Sequence, residues 1–174
     1  MPQEDAQSAN LNLSQLLGGA AKAISRVHYC WLVTEALNGG ANARPMGRVR
    51  HYADEKDWTI RFVTDGRSRK VLDIRRTGAV DLLFQDDPED AFVILNGAAQ
   101  LLEGASAVRQ HWKHAYALYF PSATDRANAA FVEVSVKRMT LWIRGVTPEP
   151  FGLHPTVLER DTAGCWHLRE ASDH

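Results

Sequence analysis

The sequence predicts an α+β protein in which an antiparallel β-barrel carries two or three flanking helices. Three observations support this. Several short runs alternate apolar with polar side chains, the period of a half-buried strand. Short turns join these runs, so consecutive strands are expected to be antiparallel neighbours. Helical periodicity does not follow each strand, which argues against a parallel doubly wound sheet. Neither G-x-G-x-x-G after a strand nor G-x-x-x-x-G-K-[ST] occurs, so both common nucleotide-binding loops are absent.

Leu13, Leu16, Leu17, Ala20, Ala21 and Ile24 recur at helical spacing, predicting a helix from Leu11 to Ile24 that Gly18 and Gly19 weaken. VHYCWLVTEA (27–36) is rich in β-branched and aromatic residues and reads as a strand. The turn Asn38-Gly39-Gly40 leads into ANARPMGRVRHY, giving a hairpin over 27–52. WTIRFVT (58–64) sets Trp58, Ile60 and Phe62 against Thr59, Arg61 and Val63. Beyond Asp65-Gly66, Val71, Leu72 and Arg75 mark a helix over 68–76 that stops at Gly78. AVDLLFQ (79–85) and AFVILNGAAQLLE (91–103) are strands joined at Asp86-Asp87-Pro88. Residues 105–118 read as a helix with Val108, Trp112, Ala115 and Leu118 on one face, ended by Phe120-Pro121. FVEVSVKRMTLWI (131–143) reads as two strands around Lys137-Arg138. TVLER (156–160) and CWHLR (165–169) form a last short hairpin.

The 174 residues suit one folded domain, expected over 11–145 after a disordered tail (1–10) and before a C-terminal extension (146–174). At 45% hydrophobic and 24% charged residues, the composition excludes wholesale disorder. No apolar stretch is long enough to form a membrane-spanning helix, and the polar start MPQEDAQSAN lacks a signal pattern. With only Cys30 and Cys165, no disulfide framework is implied and a cytoplasmic location is the default expectation.

The net charge of −1 conceals an asymmetry. Residues 44–76 hold ten basic and five acidic side chains, so the remainder of the chain is at −6. Such a balance suits a local anion site better than nonspecific nucleic-acid binding. Within that segment, FVTDGRSRKV (62–71) ends a strand, turns at Gly66 and starts a helix at Ser68. Arg69 and Lys70 then meet the positive end of the helix dipole, an unfavourable placement that a bound phosphate would reverse. Arg44, Arg48 and Arg50, on the preceding strand, can face the same place.

ARPMGRVR (43–50), FVTDGRSRKV (62–71), AVDLLFQ (79–85) and VILNGAAQLLE (93–103) together resemble the pyridoxamine 5′-phosphate oxidase-like flavoproteins, in particular their general stress protein 26 branch. The resemblance spans roughly residues 11–145 and implies a six- to seven-stranded split β-barrel, a homodimer, and FMN at the subunit boundary. It further implies that Arg44, Met46, Gly47 and Arg48 line the flavin site, that Val63 and Thr64 touch the isoalloxazine edge, and that Ser68, Arg69 and Lys70 hold the phosphate. Trp142 resembles the tryptophan that packs on the flavin from the partner subunit. Read from its strand alone, Trp142 is a core residue, the usual place of a tryptophan on an alternating strand. Trp58, Phe131 and Trp142 are bulky residues that a small barrel would not bury internally, a further reason to expect a dimer.

The departures narrow the function. Oxidases of this family carry a substrate-binding lysine at the end of the R-x-x-x-x-K strand, where this chain has Val49 followed by Arg50. Their substrate cluster has no counterpart in HWKHAYALYFPSATDR (111–126), and WIRGVTPEPFG replaces their R-x-H segment. Vitamin B6 oxidation is therefore not expected. The expectation is a flavin-dependent oxidoreductase acting on an unassigned small molecule, without nucleic-acid or membrane partners. The alternative is a non-catalytic flavin- or haem-binding stress-response protein. His111-x-x-His114 has helical spacing but lacks the further ligands of a metal site. His28, Tyr29 and Trp31 read as core or interface residues, and both cysteines as buried.

Overall fold

The computed structural model describes residues 2–47 and 58–169. Helix α1 (Pro2–Arg26) leads into β1 (Tyr29–Glu35), β2 (Ala41–Gly47) and β3 (Thr59–Asp65). Helix α2 (Arg69–Thr77), β4 (Ala79–Asp86) and β5 (Ala91–Leu102) follow. Then come α3 (Gly104–His111), α4 (Ala123–Ala127), β6 (Ala129–Ile143), β7 (Thr156–Arg160) and β8 (Trp166–Leu168). All eight strands belong to one sheet in the order β2-β1-β4-β5-β6-β7-β8, with β3 also paired to β6. Every pairing is antiparallel, and the fold is the α+β split barrel.

The long strand β6 organises the closure. One edge pairs with β5 along its length, while the other takes β3 over Ala129–Ser135 and β7 over Arg138–Leu141. The Lys137-Arg138 break expected from the sequence is a bulge instead. The β5–β6 register shifts between Asn96 and Gly97, leaving Lys137 as the extra residue, so the strand bends without stopping. Gly97 is required there, because a Cβ would lie 2.7 Å from Val134 Cγ1 and 2.8 Å from the Ser135 carbonyl oxygen.

The core follows the predicted alternation. Ile60 and Phe62 from β3, Leu32 from β1, Leu82 from β4, Leu95 from β5 and Leu141 from β6 are all essentially inaccessible. Helix α1 covers one side of the sheet with Leu16, Ala20 and Ile24. A smaller cluster of Ala107, Tyr116, Phe120, Ala129 and Phe131 fastens the α3 region to β6. Gly78 caps α2 at φ 66°, as the sequence predicts.

Several expectations are corrected. The first helix runs over Pro2–Arg26 and is longer than the Leu11–Ile24 expected. The single helix expected over 105–118 stops at His111; Trp112 is extended, and a 3₁₀ turn covers His114–Leu118. Tyr116 is therefore the buried residue of that turn, and Leu118 is exposed. His111 and His114 lie on different elements. Trp58 and Phe131 are buried within one chain, whereas Tyr29 and Trp31 are exposed, 59% and 50%. In α2, Leu72 faces solvent and Asp73 is buried. Cys30 is buried as expected, but Cys165 is exposed. The last hairpin, β7–β8, continues the barrel sheet beyond β6.

Candidate functional site

β3 delivers Thr64 and Asp65 to the barrel rim, and the turn at Gly66-Arg67 starts α2 immediately afterwards. The Lys70 Nζ donates to the Thr64 hydroxyl at 2.8 Å. Ser68 occupies the N-cap of α2 with extended backbone, yet its hydroxyl makes no cap hydrogen bond. That Oγ is buried and has no partner. A buried hydroxyl without a partner costs about 1–3 kcal/mol, so its presence beside the unpaired N–H groups of a helix start marks a place for an acceptor.

Arg44, from β2, completes this corner. Burial pushes the Lys70 pKa below its ordinary value, and the nearby Arg44 charge adds to the fall against the opposing Asp65. Arg44 donates to Thr34 at 2.7 Å and to Asp73 at 3.3 Å. Burial alone would raise the Asp73 pKa, but hydrogen bonds from Thr34, Asn42 and Arg44 outweigh it and hold the carboxyl below its usual range. Asp65 is pulled down to about 2 by Arg67, whose Nε donates to it at 2.9 Å. Asp65 is thus ionised at neutral pH and is no proton donor.

Beside this corner lies a cleft of about 640 Å³. Met46 and Gly47 of β2, Val63 and Thr64 of β3, Tyr116 of the 3₁₀ turn and Tyr119 just after it line the cleft. β2 and β3 are consecutive in the chain but lie far apart in the hydrogen-bonded order, and the curl of the sheet brings them together. His28 and Tyr29 also line the cleft, with their rings edge to face at 4.3 Å.

Met46, Gly47, Val63 and Thr64 therefore share one cleft, and Arg44, Ser68 and Lys70 gather at the adjoining helix start. Arg69 is exposed on α2. Arg48, with Val49 and Arg50, lies outside the described residues. Trp142 is not at this site within one chain. It lines a separate groove of about 350 Å³ with Trp31, Leu83 and Phe92. Sequence reasoning missed Thr34, Asn42 and Asp73. The available signal was an aspartate between Val71 and Ile74 on the apolar side of a basic helix. Among the described residues, no group of three or more His, Cys, Asp or Glu side chains could hold a metal ion. No helix is long and apolar enough to cross a membrane.

Fold and site define a split-barrel protein with a cationic corner, where Arg44, Lys70 and the Ser68 hydroxyl gather, beside an aromatic-lined cleft. The chain belongs to the pyridoxamine 5′-phosphate oxidase-like family, whose model matches residues 19–147. No curated protein matches it in sequence. Among solved structures, it is similar to a Clostridium acetobutylicum protein related to general stress protein 26 of B. subtilis, of the pyridoxinephosphate oxidase family. Identity is 17% and the TM-score 0.67, over 83% of this chain and 94% of that one. It is also similar to a pyridoxamine 5′-phosphate oxidase-related, FMN-binding protein from Nostoc punctiforme, at 14% identity and TM-score 0.65, over 90% and 93% of the two chains. General stress protein 26 from Bacillus anthracis matches at 15% identity and TM-score 0.57, over 72% and 92%.

Proposed function

We propose that this protein is an FMN-binding flavoprotein that works as a homodimer and acts as an oxidoreductase on a small molecule. The observation that carries this reading is the buried, unpartnered Ser68 hydroxyl at the start of α2, flanked by Lys70 and Arg44. A phosphate would accept from that hydroxyl and from the first N–H groups of the helix, and would relieve the crowding of the two cations. Family membership and the likeness to an FMN-binding protein support the same assignment.

In this reading Met46, Gly47, Val63 and Thr64 border the isoalloxazine, while Ser68, Arg69 and Lys70, with Arg44, hold the phosphate. Arg48 belongs to the same set by its place in the R-P-M strand, and Trp142 serves a partner subunit's site. FMN supplies the hydride and electron transfer, and the protein positions it and shapes access. With Val49 in place of the family's substrate lysine, vitamin B6 is not the proposed substrate.

Absorbance titration of the full chain with FMN and riboflavin tests the assignment. FMN should bind much more tightly, and Arg69→Ala/Lys70→Ala should weaken FMN by about 3 kcal/mol, roughly a hundredfold. Equal affinity for the two flavins would refute it. Anaerobic mixing of the FMN-loaded protein with NADH or NADPH separates enzyme from binding protein: bleaching faster than free FMN marks an oxidoreductase. Bleaching no faster than free FMN with every donor would favour the alternative, a flavin-binding protein without turnover.

A further inference from the structure

Arg44, on β2, is held from two other elements at once. Its Nη1 donates to the Thr34 hydroxyl of β1 at 2.7 Å, and its Nη2 donates to Asp73 Oδ2 of α2 at 3.3 Å. Thr34 in turn donates to the same Asp73 oxygen at 2.8 Å, and Asn42 Nδ2 donates there at 3.1 Å. Thr34 and Asp73 are 2% and 6% exposed, whereas a fifth of the Arg44 side chain (20%) remains open. The buried end of the network is thus closed and its arginine end is accessible. A guanidinium has five N–H donors, and Thr34 and Asp73 use two, leaving three for a ligand.

The hydroxyl of Thr34 is the link in this arrangement. It accepts from Arg44 and donates to Asp73 simultaneously, which valine, though close in shape, cannot do. An arginine already fixed in this way has little rotamer freedom left to lose when it meets an anion. We propose that Thr34 and Asp73 are positioning residues that aim Arg44 at the cofactor phosphate, so that a buried threonine on β1 sets how strongly the phosphate is recognised. The proposal rests on the flavin reading of the site.

The test is a titration of the full chain with FMN and with riboflavin, which lacks the phosphate, in the wild type, Thr34→Val and Thr34→Ser. Thr34→Val should weaken FMN about tenfold and leave riboflavin unchanged, and Thr34→Ser should restore FMN binding. In an Arg44→Ala background, Thr34→Val should have no further effect on FMN. Equal weakening of both flavins, an unaltered FMN affinity, or an undiminished effect without Arg44 would each overturn the positioning role. Thr34→Ala supplies the same comparison if thermal unfolding shows the valine variant to be misfolded. A wild type that binds FMN no more tightly than riboflavin would overturn the phosphate reading, and this proposal with it. A wild type that prefers FMN beside unresponsive Thr34 variants overturns the positioning role alone.

Discussion

Lys70 and Thr64 are joined at 2.8 Å, so the first turn of α2 is tied to the rim end of β3 through a side-chain hydrogen bond. Three features of the placement work against the lysine, opposed by the bond to Thr64 and the nearby Asp65. It sits at the positive end of a helix, it is partly buried, and Arg44 is close enough to lower its pKa. An anion at the helix start would relieve all three.

Lys70→Met should therefore separate binding from stability. Without ligand, losing the bond to Thr64 and relieving the crowded charge offset one another, and unfolding stability should change by less than about 1 kcal/mol. With FMN, affinity should fall by about 1.5–3 kcal/mol. Urea unfolding and flavin titration of the same variant check both parts, and a large loss of ligand-free stability would contradict the account.

Gly97→Ala should destabilise the barrel by about 2–3 kcal/mol, because its Cβ would lie within 3 Å of Val134 and of the Ser135 backbone at the bulge. Backbone cannot step aside as a flexible side chain would. Chemical denaturation reads the loss, and a neutral substitution would mean that the bulge adapts.

Acid should weaken the fold through two carboxyls. Asp65 and Asp73 both have folded pKa values below the ordinary 3.8, Asp65 at about 2. Each contributes stability that is complete at neutral pH and is lost as pH falls through that window. The Asp65 side chain is 36% exposed and its pairing with Arg67 is screened, so its share is about 1 kcal/mol or less. Asp73, buried among three donors, should contribute more. Stability measured from pH 5 to pH 2 should flatten more in Asp73→Asn than in Asp65→Asn; the reverse order would show that burial does not govern the effect.

Trp31, Leu83, Phe92 and Trp142 line an apolar groove on the outer face of the sheet, with Trp31 half exposed. If the proposed dimer uses this face, Trp31→Glu should convert it to monomer in sedimentation, because a charge would be buried without a partner. FMN affinity should fall with it if the partner's Trp142 reaches the flavin. A dimer unaffected by the glutamate would place the interface elsewhere.

By itself the sequence determined the local elements and where the cationic side chains of the corner lie. Alternation around Ile60 and Phe62 marked β3, Gly78 marked the end of α2, and Ser-Arg-Lys after a strand marked the helix start at which Ser68, Lys70 and Arg44 gather. Each of these signals is carried by neighbours a few residues apart, where backbone period and capping act directly. Only the tertiary structure decided that β6 runs unbroken through its bulge, that Trp58 and Phe131 are covered within one chain, and that Trp142 lies away from the cleft. It also decided that Asp73 turns inward to meet Thr34, Asn42 and Arg44, and that the sheet curls until β2 faces β3. The reason is that periodicity reports which face of its own element a side chain takes. What lies opposite that face is set by strand register and barrel closure, which join residues distant in the chain.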